Sequence, residues 1–257
     1  MKQWNGLMRK EWSVMNGWFY GSLITQICGV LFLSFASTFI MEEVRVIEIL
    51  PIYSGIWGLL LSVILPTMVL LVSLNKEMHR PDVWLHSTAP TGKLFGVKAL
   101  FASMIGFVNI LFPLAIVLIE SRLSGSTTSF VAVFQFGTTI ALMFFLLSLF
   151  IMCIGLFLGV LYQLLKPVVK GFSGPIVVVI FLFLSWLQAR LAELVVYTKI
   201  TRFGQLNQGV GFDLEKENFL SAFADMKIYT GELLIDFAIA FLFFIVAITL
   251  FEKKVRL

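Results

Sequence analysis

The chain has 257 residues, of which 59% are hydrophobic and 13% charged, with a mean hydropathy of +0.97 and 27 Phe against 19 Lys+Arg and 15 Asp+Glu. Soluble domains carry about 25% charged and about 45–50% apolar residues, so this chain has more apolar surface than a water-exposed fold can hide and too little polarity for disorder. The net charge of +4 forms no basic stripe on a soluble face, which excludes nucleic acid as a partner.

In chain order, residues 1–17 come first. They place Trp4, Leu7, Met8, Trp12 and Met15 at helical spacing, with Lys2, Arg9 and Lys10 elsewhere on the wheel. That pattern predicts an amphipathic helix lying in the membrane interface. Uncharged runs follow at 18–41, 49–74, 99–119, 130–165, 171–189 and 233–251, broken only by Asp236 near one end of the last. A helix needs about 20 apolar residues to cross a bilayer, and the fourth run is read as a single span centred on 136–162. Continuous apolar runs are not the weak alternation of a barrel. The sequence therefore predicts an all-α polytopic membrane protein with six transmembrane helices, residues 1–257 forming a single transmembrane domain. The first run is too long, and lacks a small-residue cleavage site before Glu42 and Glu43, to be a secretory signal.

Alternate connections gather 12 basic and 4 acidic residues on the side holding both termini, and 7 basic and 11 acidic on the other. The sides sum to +8 and −4, so both termini are expected in the cytoplasm. The connection 75–98 is then cytoplasmic. The stretch 190–232 is external, with apolar patches at 194–197 and 219–223 whose helices can dip toward the bilayer where protein covers the backbone between them.

Reactive chemistry is missing from the spans. No H-E-x-x-H is present, and Cys28 and Cys153 lie in apolar runs as small hydrophobes. The middle of the spans offers Gln26, Asn109 and Gln135 in place of charges, whereas ion-coupled carriers use acids, bases or broken helices there. Pro66 and Pro113 interrupt spans two and three as kinks that neighbours re-satisfy. The glycine pairs Gly17/Gly21 and Gly155/Gly159 let helices approach closely, within one subunit or across a dimer. No G-x-x-x-x-G-K-[ST] loop exists; the nearest string, Pro90-Thr91-Gly92-Lys93-Leu94, has Ser87 where the first glycine belongs. Energised work would need another polypeptide.

Within 75–98, Pro81 suits the first position of a helix and Asp82 its first turn. Val83, Trp84 and Leu85 make an apolar ridge, and Ala89 before Pro90 ends the helix. A short surface helix of about two turns results, with Trp84 and Leu85 resting on lipid or on a partner. His79, Asp82 and His86 have metal-like spacing, but Pro81 leaves His79 outside the helix, so no metal is expected.

The layout of six spans with cytoplasmic ends, the N-terminal Arg9-Lys10-Glu11-Trp12 helix and the long segment before span six resembles the ATP-binding-cassette (ABC) permeases of the type 2 export class. The pattern Asp82-x-x-Leu85-x-Ser87-x-x-Pro90, followed by Lys98, is similar to that family's signature around its coupling helix. The resemblance implies a transport subunit that is not itself an enzyme and binds no cofactor directly. ATP and Mg would be handled by a separate cytoplasmic ABC ATPase, and a second permease subunit, a copy or a related sibling, would pair with this one. It assigns ATPase coupling to His79, Arg80, Pro81, Asp82, Val83, Trp84, Leu85 and His86. It places Tyr53, Ser62, Thr67, Ser185 and Gln188 along a substrate path between spans two and five. So apolar a path suits an amphipathic or lipid-like cargo, such as a membrane-active peptide. Two other readings stay open: an ATP-independent carrier or channel, and a membrane immunity or scaffold protein that transports nothing.

Overall fold

Uninterrupted runs of Leu, Ile, Val and Phe leave the main chain no hydrogen-bond partner but itself in an apolar medium, which selects the helix. The computed structural model describes residues 2–40, 46–78, 90–123, 130–204 and 229–255. Its helices are α1 (Lys2–Ile40), α2 (Val46–Met78), α3 (Thr91–Leu123), α4 (Phe130–Val169), α5 (Ser173–Ala192), α6 (Val195–Thr201) and α7 (Thr230–Val255), with no strand among the described residues. A 3₁₀ turn, Lys170–Phe172, separates α4 from α5. Among the described residues, five stretches are long and apolar enough to cross a membrane: Gln3–Ala36, Ser54–Met78, Thr91–Ile119, Val133–Ala192 and Thr230–Lys253. The fourth covers 60 residues and runs through α4, the turn and α5. This is the make-up of a multi-pass membrane protein, and its outward side chains agree: Phe32, Phe172 and Phe203 are each more than 70% exposed.

The helices outrun the apolar segments that announce them. The interfacial helix expected at 1–17 and the span expected at 18–41 meet without a break in one helix of 39 residues, Lys2–Ile40. The change from polar to apolar sequence is a change of solvent, and nothing between Trp4 and Ser34 breaks the backbone pattern. The connection expected at 75–98 is likewise shorter, because α2 continues to Met78 and α3 begins at Thr91. Lys76 sits in the last turn of α2, where a cation favours the helix dipole. Pro90 starts α3 by accepting main-chain bonds from Lys93 at 2.9 Å and Leu94 at 3.3 Å. The stretch 190–232, expected on the outer side, contains the end of α5, all of α6 and the start of α7.

The described residues fall into two compact units whose boundaries cut through continuous helices, after Val69, Gly96 and Leu149. In the first, small and ring residues set the helix approaches. A Cβ on Gly58 would meet Pro113 and the Gln26 amide, one on Gly106 would meet Pro66, and one on Gly29 would meet the Trp57 indole. Phe107 and Phe145 pack edge to face at 5.5 Å. In the second unit Gly159 lies against Leu71, and Phe157 meets Phe243 at 5.1 Å. Gly231 sits beneath the main-chain oxygens of Ile200 and Thr201, a seat that only a residue without a side chain can take.

Candidate functional site

The eight coupling residues, His79, Arg80, Pro81, Asp82, Val83, Trp84, Leu85 and His86, lie outside the described residues, and so does the metal-like His79, Asp82, His86 spacing. What the structure describes is the frame on either side. Upstream is the end of α2 at Met78; downstream, α3 starts immediately after Pro90.

The first turns of α3 are firmly held. In the second unit Thr91 Oγ1 donates to Glu252 Oε1 of α7 at 2.9 Å, and Phe95 meets Phe251 edge to face at 5.0 Å. Both aromatic rings are buried, so this contact is hydrophobic packing reinforced by ring geometry. In the first unit Lys98 Nζ donates to Glu11 Oε1 of α1 at 2.6 Å, with 2% and 6% of the two side chains exposed. Such a pair offsets the cost of removing both charges from water only while it stays intact. Trp12 completes the contact, meeting Phe101 at 6.1 Å.

Glu11 carries a lesson about the sequence. It falls between Leu7, Met8, Trp12 and Met15 on the same helical stripe, and an acid on an apolar stripe calls for a buried partner. Met15 on that stripe is fully buried, while Trp4 and Trp12 remain exposed. The identity of the partner, 87 residues away, is a tertiary fact that no local pattern carries.

Deeper in the first unit, α1 and α3 share a polar seam. Asn109 Nδ2 donates to Ser22 Oγ at 3.1 Å and to the Ile105 carbonyl at 2.8 Å, and Gln26 Nε2 donates to the Asn109 main-chain oxygen at 2.9 Å. Gln26 and Asn109 are fully buried, and their side-chain oxygens find no protein donor among the described residues. A nearby cleft of about 30 Å³ is walled by Gly55, Leu59, Ile110, Pro113, Gly137 and Ala141. A water needs about 10–15 Å³ on that measure, so this cleft is too small to be a chamber for a peptide.

Of the five path residues, Tyr53, Ser62 and Thr67 belong to the first unit and Ser185 and Gln188 to the second. Ser62 is fully buried, and its hydroxyl donates to Leu59 O at 2.8 Å within its own helix. The Thr67 hydroxyl is buried with no protein partner among the described residues. Tyr53 lies in α2 with its side chain outside the described set. Ser185 and Gln188 lie on α5, which buries Ser173 alone; the Ser185 hydroxyl donates back to Phe181 O at 3.0 Å. On α6, burial and then the carboxylates of Asp236 and Glu232 raise the Tyr197 phenol above its ordinary range.

Of the two glycine pairs, Gly159 does pack within the chain, whereas Gly17 and Gly21 face open space. No family model matches the chain, and neither does any curated protein or solved structure.

Proposed function

We propose that this chain is the membrane subunit of an ABC exporter driven by a separate ATPase. It crosses the bilayer six times with both termini in the cytoplasm, the Val133–Ala192 stretch making two crossings that turn at Lys170. Residues 79–89 dock on the ATPase, with Trp84 and Leu85 as anchors and Arg80, Asp82 and His86 as polar contacts. A second permease subunit packs beside this one, and the exposed apolar surface of α5 offers area for it. The cargo is amphipathic or lipid-like, a membrane-active peptide being the type case.

The observation that carries the reading is the fixed foot of α3. A segment that receives force from a partner must pass it to the bundle, and the helix leaving that segment is pinned within its first turns by Thr91–Glu252 and by Lys98–Glu11. Mid-membrane amides in place of titratable groups agree with energy supplied from outside the chain. The test is co-purification with a co-expressed cassette ATPase in mild detergent. A stoichiometric complex is expected, and a Trp84→Ala, Leu85→Ala variant should insert normally yet lose stimulation of ATP hydrolysis. No association with any cassette ATPase would overturn the assignment.

The carrier reading draws on one specific observation, the buried side-chain oxygens of Gln26 and Asn109, which find no donor among the described residues. It is favoured instead if liposomes take up substrate on an ion gradient without ATP. A scaffold is favoured if the Trp84→Ala, Leu85→Ala variant protects cells as well as the parent does.

A further inference from the structure

We propose that the Glu11–Lys98 ion pair is a positioning joint that locks α1 to α3, so that the two helices move as one block when the 79–89 segment is pushed. The mechanical claim stands on contacts within the first unit; the direction of the push rests on the ATPase-docking reading above.

Two polar contacts at different heights make a splint, whereas one alone makes a pivot. The lower contact is Lys98 Nζ to Glu11 Oε1 at 2.6 Å, in side chains almost wholly shielded from water. The upper contact is the seam of Ser22 and Gln26 with Asn109. Residue numbers rise together on the two helices, 11 with 98 and 22 with 109, so α1 and α3 run parallel. Each interval is 11 residues, which at 1.5 Å per residue separates the contacts by about 16 Å. Next to the lower contact, one residue on from Glu11 and three on from Lys98, Trp12 meets Phe101 edge to face at 6.1 Å. Sliding one helix along the other would pull apart a cation and an anion with no water to receive them, so the pair resists shear more strongly than apolar packing does. Because α3 is continuous from Thr91, Lys98 lies about two turns from the residue that follows Pro90. Glu11 and Lys98 thus act through their helices, as positioning residues.

The test uses the full chain in lipid nanodiscs with Cys28→Ala and Cys153→Ala. Spin labels are placed at Ile24→Cys and Met104→Cys, both exposed on their helices. Pulsed electron resonance should give one narrow distance distribution in this background. It should broaden in Glu11→Gln and in Lys98→Met, and narrow again in the exchanged Glu11→Lys, Lys98→Glu protein. A thermal melt identifies any variant that has not folded, and Glu11→Gln, the mildest change, then decides. With a co-purified ATPase, each single variant should retain binding but lower ATP-driven export about tenfold, the usual scale of coupling between sites. A Glu11→Gln distribution as narrow as the parent's would overturn the joint, as would an exchanged protein no narrower than the single variants. Failure of the unsubstituted chain to hold an ATPase would overturn the docking reading alone, and the distance measurement would still decide the joint.

Discussion

The side-chain amide of Gln26 donates to the main-chain oxygen of Asn109 at 2.9 Å, and that oxygen is the one whose helical donor Pro113 removes. In an α-helix the N–H of residue 113 would bond the carbonyl of residue 109, and proline has no N–H. The neighbouring helix therefore supplies the missing bond. Gln26→Leu should lower stability by about 1–2 kcal/mol, the scale of a buried interhelical hydrogen bond in a membrane. Pro113→Ala gives Asn109 its own donor back, so Gln26→Leu should cost less in that background. Thermal melts of the four proteins in detergent measure the cycle. Additivity within about 0.5 kcal/mol would show that the two residues act independently.

Close packing at single glycines yields a second expectation. A Cβ on Gly29 would run into the Trp57 indole, whose Nε1 donates to Thr25 O at 3.4 Å, while Gly17 and Gly21 have nothing within 4 Å. Gly29→Ala should then cost about 1–3 kcal/mol through overpacking. Gly17→Ala and Gly21→Ala should each gain about 0.5–1 kcal/mol from lower chain entropy in the unfolded state. Trp57→Leu should recover some of the Gly29→Ala loss. If Gly29→Ala melts with Gly17→Ala, the indole is not seated over Gly29.

These cases show which features of the fold can be read from the chain itself. Helices and their apolar character are legible because composition alone dictates them in lipid, as the runs that became α2, α3 and α7 illustrate. Their ends are not, since Asn75, Lys76 and Glu77 are polar yet continue α2. Pro113 could have identified Asn109 O as an acceptor needing a donor, by counting back four residues. Nothing local names Gln26 as that donor, or Lys98 as the partner of Glu11, because pairing across 83 and 87 residues is set by packing. Spacing points to Gly17 and Gly21 as contact glycines, yet Gly29, Gly58 and Gly106, which lie under Trp57, Pro113 and Pro66, make closer approaches. The coupling residues 79–86 lie outside the described residues, so for them sequence reasoning stands alone.

At the foot of α3 the two contacts to α7 should rank differently. Phe251 is buried against Phe95, so Phe251→Ala loses a large apolar contact and should cost about 3 kcal/mol. Thr91 bonds to Glu252, whose exposed position lets water compete, so Thr91→Val should cost about 1 kcal/mol or less. Melting temperatures of the two variants provide the comparison, and the reverse ranking would mean that the hydroxyl, and not the ring pair, holds the helix start.

Lys170 joins α4 to α5 at φ +49, the one non-glycine residue in the left-handed region among the described residues. Its carbonyl accepts from both the main-chain N–H and the Oγ of Ser173, the latter at 3.0 Å, which fixes the turn from the α5 side. A Cβ in that region crowds the following carbonyl and costs about 1–2 kcal/mol, a cost glycine escapes. Lys170→Gly should therefore raise stability by about 1 kcal/mol, offset to some extent by the greater freedom of glycine in the unfolded chain. Lys170→Ala removes the same charge and keeps the Cβ, so it should bring no gain. The difference between the two melts isolates the backbone from the electrostatics: equal melting temperatures would mean that the left-handed turn is not what links α4 to α5.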